Sequence, residues 1–287
     1  SNSATCQSTV TVVDGVNPVA NCVVAPINLF LDASGIATLN SVDLDAGSTD
    51  NCAIVNYAIS QDTFRCGDVI SSPNTVVLTV TDVSGNTDNC SASVNVSDTI
   101  RPSMACAPSS VVIYLGSSGL ATIIADSFDN GTSDACGLAS LVFTGAPNPV
   151  TCADLGVSPI TLIATDVNGN IDSCTTSLTV LDTVPPTLVC NNISINLDAL
   201  GSATVDASTS GLYSMSDACG VPSLTLDGGA SVLYDCTNLG PNSITLVATD
   251  GSSNSSTCVA VITVNDITAP VVTCASSIQV LDALGSL

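Results

Sequence analysis

The stretch TDVNGNIDSC, residues 165–174, places side-chain oxygens at every second position, on Asp166, Asn168, Asn170 and Asp172. Oxygen ligands at such spacing can wrap a hard cation such as calcium. The same residues can also form a polar turn between two strands, with Asp and Asn capping their own backbone and Gly169 supplying a left-handed conformation. The stretch is not an EF-hand loop: Ile171 stands where that loop needs glycine, and the bidentate glutamate is absent. It does not stand alone. TDVSGNTDNC begins at Thr81 and TDGSSNSSTC at Thr249, so the three copies recur every 84 residues.

The register extends along the whole chain. Asp14, Asp98, Asp182 and Asp266 keep the same step, each followed four residues later by a proline, Pro18, Pro102, Pro186 and Pro270. Cys22, Cys106, Cys190 and Cys274 keep it too, as do Cys6, Cys90, Cys174 and Cys258. A fixed period of this length marks a tandem array of structural units. Residues 1–14 read as the C-terminal strand of a preceding repeat. Three complete repeats follow at 15–98, 99–182 and 183–266, and residues 267–287 read as the N-terminal part of another. The chain thus reads as a window on a longer polymer of repeats.

The elements that position these residues are strands. All 25 acidic residues are Asp, there is no Glu, Lys, His or Trp, and Val, Ile and Thr abound between Gly, Pro, Asn and Ser. That composition disfavours helix surfaces and favours sheets. Within a repeat, INLFLDASGIATL alternates apolar residues around an Asp-to-Gly turn, and GLASLVF follows a DAC turn. SPITLIATD and SCTTSLTVLD flank the opening stretch as a hairpin. About seven strands in such a repeat predict an all-β, immunoglobulin-like β-sandwich, repeated in an extended array. With few aromatic residues the core must be aliphatic, and disulfides compensate for limited burial.

In such a sandwich the DNC or DAC loop and the tip of the hairpin share the pole where the preceding linker enters. Asp98, Asp134 and Asp166 then converge, as do Asp14, Asp50 and Asp82, and Asp182, Asp217 and Asp250. Three carboxylates meeting repel one another unless a cation intervenes, and oxygen-only ligands suit calcium. Asn168 and Asn170 can add carbonyl oxygens. The expectation is a calcium ion at each linker, stiffening the array.

Fourteen cysteines without histidine, and with no CxxC pair, indicate disulfides formed in an oxidising compartment. The first and last strands of a sandwich run side by side, which predicts Cys22–Cys90, Cys106–Cys174 and Cys190–Cys258. The middle cysteines sit 14 to 17 residues apart across an expected hairpin, which predicts Cys52–Cys66, Cys136–Cys152 and Cys219–Cys236. A competing scheme joins Cys90 to Cys106 across the linker, where proline favours extended geometry and opposes the doubling back it requires.

The motifs DT-PP-LVC, DNC/DAC, TCADLG, TLIATDVNGN and SC-SLTVLD together resemble the hyalin repeat (HYR), an immunoglobulin-like extracellular module linked to adhesion. The four-cysteine form is similar to repeats of the giant SprB-type surface adhesins of gliding Bacteroidota, and the resemblance covers the whole chain. It implies gliding motility, export by the type IX pathway and a filament projecting from the cell surface. Asp98-Thr99-Ile100 and Asp182-Thr183-Val184 match the short O-glycosylation motif of that phylum, which would place sugars on Thr99 and Thr183. The third linker, NDITAP, departs from the motif.

A net charge of −23, with only Arg65 and Arg101 as cations, argues against nucleic acid and against docking on anionic lipid. The aliphatic runs are too short to span a bilayer. Without His, Lys or Glu the commonest acid–base groups are missing, so the chain is not expected to be an enzyme. The expected function is a structural stalk or filament of an extracellular, cell-surface adhesin. Its partners are neighbouring repeats of the same long chain, or other copies in a fibre, and its adhesive ligand is not legible. Alternatives are a self-assembling fibre or sheath and a glycan-binding module, the latter disfavoured by the scarcity of aromatic platforms.

Overall fold

The computed structural model describes residues 2–280, and strands dominate it. The chain divides into two compact units. Among the described residues, one comprises 2–111, 123–147 and 157–179; the other comprises 112–122, 148–156 and 180–280. The middle repeat contributes to both.

In the first unit, strand Asn74–Asp82 alternates strictly, turning Val76, Leu78 and Val80 inward to full burial. That is the period of a sheet with one covered face. Its neighbours give a sheet in the order Ile27–Phe30, Thr87–Ser97, Asn74–Asp82, Ile54–Ile59. The outer strand Ile27–Phe30 runs parallel to Thr87–Ser97, while the two central strands form a long antiparallel hairpin. A separate ladder joins Ile36–Thr38 to Thr63–Arg65, and isolated bridges pair Val19 with Thr49 and Cys22 with Asp45. The core lies between sheet and ladder, where Leu31, Leu39, Leu44 and Phe64 meet Val76, Leu78, Val80, Val94 and Val96. The middle repeat places Leu138–Thr144 antiparallel to Gly156–Asp166 in this unit.

The second unit repeats the plan. Its sheet runs Ile193–Asn196, Ser255–Asn265, Gly240–Thr249, Ser223–Leu226, again with a parallel outer strand and an antiparallel central hairpin. Ladders pair Ser202–Asp206 with Ser231–Asp235 and Thr187–Cys190 with Tyr213–Ser216. The core gathers Leu197, Val205, Leu212, Leu226, Tyr234, Ile244 and Leu246. Leu120–Ala121 and Val150–Thr151 of the middle repeat pair here. The fold is therefore all-β, built of tandem immunoglobulin-like sandwiches stapled by disulfides.

The bonds Cys22–Cys90, Cys106–Cys174 and Cys190–Cys258 close within repeats, each across 68 residues. The middle cysteines depart from the sequence expectation. Cys66 bonds Cys136 and Cys152 bonds Cys219, so the third cysteine of one repeat joins the second cysteine of the next. The expected pairs Cys52–Cys66, Cys136–Cys152 and Cys219–Cys236 do not form, and neither does Cys90–Cys106. The reason is topological. Ile54–Ile59, which follows Cys52, pairs in the large sheet, whereas Thr63–Arg65, which leads into Cys66, pairs in the small ladder. The two segments are not a hairpin. Cys52 and Cys66 therefore do not face each other across one ladder. Cys6, Cys52, Cys236 and Cys274 are exposed and free.

Candidate calcium centre and the cross-repeat bonds

The opening stretch folds as a capped hairpin turn. Asp82, Asp166 and Asp250 continue the inward register of their strands, so each puts a carboxylate where a core residue would stand, and each is buried. A buried carboxylate needs hydrogen-bond donors, and the turn supplies them. Asp166 Oδ1 accepts from the backbone N–H of Asn168 and Asn170, both at 2.8 Å, and Oδ2 accepts from the Asn170 side-chain amide at 2.8 Å. Asp82 has the same donors in Ser84 and Asn86, and Asp250 has them in Ser252 and Asn254. Burial pushes the Asp250 carboxyl up, but the Asn254 amide and the loop N–H groups outweigh it and leave it below its ordinary value. Gly169 takes φ +91°, as the turn requires.

The turn also holds the linker. Asn170 Nδ2 donates to the carbonyl of Asp98 at 3.3 Å, Asn86 to that of Asp14 and Asn254 to that of Asp182, each at 3.2 Å. Asn170 thus acts as a donor toward linker and turn. The side-chain amide nitrogen of Asn168 is buried without a partner.

The linker aspartates do meet the DNC or DAC loop. A carboxylate oxygen of Asp98, one of Asp134 and the sulfur of Cys136 lie within 4.8 Å of one another, and the same holds for Asp182, Asp217 and Cys219 and for Asp14, Asp50 and Cys52. Asp166 and its counterparts are not in these groups; they stand beside them as turn caps. The sulfurs of Cys136 and Cys219 are in disulfides, which leaves a pair of carboxylates at each place.

Those pairs are incompletely satisfied. Asp98 Oδ1 accepts from the Ile100 N–H at 3.0 Å, yet Oδ2 is buried with no partner. Asp182 is the same, with Val184 on Oδ1 and Oδ2 unpartnered. These residues are only 9% and 8% exposed, and burying a carboxylate oxygen without a donor is costly. Burial pushes the Asp98 carboxyl above the ordinary aspartate range despite the Ile100 N–H, and the charges of Asp134 and Asp166 push the same way. Asp134 and Asp217 each accept the N–H of the following cysteine's residue, Cys136 or Cys219, at 2.7 Å. A hard cation fits this chemistry: two carboxylates, one with a buried free oxygen, and no nitrogen or thiolate donor.

The first group differs. Asn51 replaces the alanine of DAC, and its amide donates to Asp14 Oδ2 at 3.2 Å and to Cys52 Sγ. The Cys52 thiol and the Val16 N–H hold the Asp14 carboxyl below its usual range. The orphan oxygen here is Asp50 Oδ1. Thr99 and Thr183 are exposed in their linkers.

Sequence reasoning missed the junction on the other side of each alanine. Gly35 has φ +75°, and a Cβ there would lie 2.9 Å from Cys66 Sγ and 3.3 Å from Ala135 Cβ. Gly119 has φ +72°, with Cys152 Sγ at 2.8 Å and Ala218 Cβ at 3.2 Å from the same point. The glycine of one repeat's turn therefore seats the disulfide and the small residue of the next repeat's DAC. Asp32 Oδ1 fixes the Gly35 turn by accepting from the N–H groups of Ser34 and Ile36. The signal was present as a recurrent turn glycine, Gly35, Gly119 and Gly201, and as alanine before Cys136 and Cys219.

No family model matches the chain. It is 32% identical over 222 residues to hyalin of Strongylocentrotus purpuratus, covering 74% of this chain and 18% of that protein. It is 30% identical over 230 residues to hyalin of Lytechinus variegatus, covering 77% and 42%. The chain is similar to hyalin. A shorter match, 31% over 149 residues, is to the serine-rich adhesin for platelets of Staphylococcus aureus, covering 47% of this chain and 6% of that one. The chain spans under half the length of each of these relatives. Among solved structures, Sidekick-1 immunoglobulin domains 1–5 match with TM-score 0.36 and 14% identity, covering 88% of this chain and 59% of that one. Three immunoglobulin domains of titin match with TM-score 0.34 and 13% identity, covering 86% and 98%. The fold assignment rests on the sheet topology rather than on these distant likenesses. No helix among the described residues is long and apolar enough to cross a membrane.

Proposed function

We propose that this chain is a structural repeat segment of an extracellular adhesion protein, a stalk or filament that carries load rather than binding ligand itself. The observation that carries this reading is the pair of bonds Cys66–Cys136 and Cys152–Cys219, which tie each repeat covalently to its neighbour. A ligand-binding module has no need of such ties; a load-bearing array does, because force then passes through covalent bonds beside the linker. Each 84-residue repeat, 15–98, 99–182 and 183–266, acts as one module. The similarity to hyalin and to a bacterial adhesin supports the extracellular, adhesive setting. The likeness to SprB-type repeats carries the finer reading: a surface filament of a gliding bacterium, exported by the type IX pathway, with sugars on Thr99 and Thr183.

Calcium completes this reading. It binds the Asp98–Asp134 and Asp182–Asp217 pairs, taking the buried free oxygens that have no donor, and holds linker to loop. Asp14 and Asp50 form a weaker site, since Asn51 already serves Asp14.

Antibody against this segment, applied to intact source cells, tests the first part. Labelling along surface filaments without permeabilisation is expected, as is the absence of retention on a glycan array. Labelling only after permeabilisation, or strong glycan capture by the segment alone, overturns the stalk reading.

A further inference from the structure

The four-stranded sheet of the first unit has one face on the core and the other in solvent. In strand Asn74–Asp82 the inward positions are Val76, Leu78 and Val80, which leaves Thr75, Val77 and Thr79 outward. Strand Thr87–Ser97 turns Ser91 and Asn95 to the same side, and Phe30, 61% exposed, stands opposite Ser97 on the outer strand. Among the described residues, no acidic or basic side chain lies in the outward register of these four strands. Their two acids, Asp82 and Asp88, share the inward register. Asp82 is capped by its own turn, and Asp88 pairs opposite buried Val80 and accepts the Ala20 N–H at 2.9 Å. Asp32, Asp43, Asp45, Asp62 and Asp68 all lie outside the sheet, as does Arg65. The second unit keeps the pattern, with Thr245, Val247 and Thr257 facing outward. Asp227 follows its edge strand Ser223–Leu226, where the carboxylate accepts the Thr245 N–H at 2.8 Å.

A chain of net charge −23 repels its own copies wherever acidic surfaces meet. On this face two copies can meet without apposing carboxylates. Ser, Thr and Asn side chains both donate and accept, so the face complements a second copy of itself, which a face of one charge sign cannot do. The Val and Thr methyl groups and Phe30 add apolar contact. Strands about 4.8 Å apart, advancing about 3.3 Å per residue, give the face roughly 500 Å². Two copies would then bury about 1,000 Å², the low end for a specific contact.

We propose that this uncharged sheet face is a self-association surface, on which a second copy of the chain packs face to face. The same patch serves both partners, so the contact is isologous and closes as a two-fold dimer. It rests on neither the calcium centre nor the stalk reading, and dimerisation and surface labelling succeed or fail separately.

The test is sedimentation velocity of the whole chain in chelator, with Cys6→Ser, Cys52→Ser, Cys236→Ser and Cys274→Ser removing any thiol cross-linking. A reversible dimer is expected as protein concentration rises. It should strengthen with added potassium chloride, because salt screens the net repulsion and leaves uncharged contacts intact. Thr79→Asp with Ser91→Asp should raise the dimer dissociation constant roughly tenfold or more, and Thr79→Lys with Ser91→Lys should do the same. Mixing those two variants should restore association as a heterodimer, a rescue that misfolded chains would not give. Val24→Asp with Val42→Asp adds the same charge at exposed positions outside the sheet and should leave the dimer close to the parent. A chain that stays monomeric at every concentration and salt level overturns the proposal, as does equal weakening by the Val24 and Val42 changes. Capture of a monomer on insoluble polysaccharide, lost in the Thr79 and Ser91 variants, would assign the face to sugar and overturn it too.

Discussion

At the residue scale, two aspartates at one junction between repeats do opposite work although both are buried. Asp166 is fully supplied by its own turn, whereas Asp98 keeps a bare oxygen beside Asp134. Asp166→Asn should therefore cost about 1–3 kcal/mol, since it removes acceptors from buried N–H groups, and thermal unfolding measures it. Asp98→Asn should leave the calcium-free protein as stable or more stable, yet remove one calcium equivalent in titration calorimetry. Equal calcium binding before and after the change would remove Asp98 from the site. The pH dependence follows from the same contrast. The folded pKa of Asp98 is raised, so without metal its contribution to stability is full below the unfolded pKa and is lost as pH rises through the folded one. Asp32 and Asp198 are lowered, first by the Ser34 side chain and the Ser202 N–H respectively, so their contribution is present above the unfolded pKa and is lost as pH falls through the folded one. Carboxyl carbon titration by NMR should find Asp98 titrating above the other two, and calcium should abolish that upward shift.

At the element scale, the decisive pieces are the turn glycine and the small ladder. Gly119→Ala places a side chain in left-handed backbone and against Cys152 Sγ and Ala218. The backbone alone should cost roughly 1–2 kcal/mol, and the melting temperature should fall accordingly. Peptide mapping should also recover some Cys152 free of Cys219. Removing the bond outright, by Cys66→Ser with Cys136→Ser, opens a connection across 70 residues. Loop entropy sets that loss at about 4 kcal/mol. The long hairpins were legible from period-two alternation, and so were the turns with Asp before Gly. The partner of Thr63–Arg65 was not, because two short strands close in sequence look like a hairpin unless their sheets are known.

At the scale of the whole molecule, a net charge of −23 opposes compaction, and bound cations relieve it. Calcium should raise the melting temperature more than sodium at matched ionic strength, because Debye screening acts on all exposed charges alike while a chelated ion acts where carboxylates are buried. An equal effect of the two salts would reduce the acidic groups to diffuse repulsion. The 84-residue period, the all-β class and the pairs Cys22–Cys90, Cys106–Cys174 and Cys190–Cys258 follow from the sequence itself, because they depend on local periodicity and on the fixed neighbourhood of first and last strands. What the tertiary structure alone decided is which sheet each short strand joins, and hence that Cys66 reaches Cys136 and not Cys52. It also decided which aspartate spends its oxygens on its own turn and which is left with one to offer. Both are matters of through-space proximity between segments far apart in the chain, and residue spacing carries no measure of that.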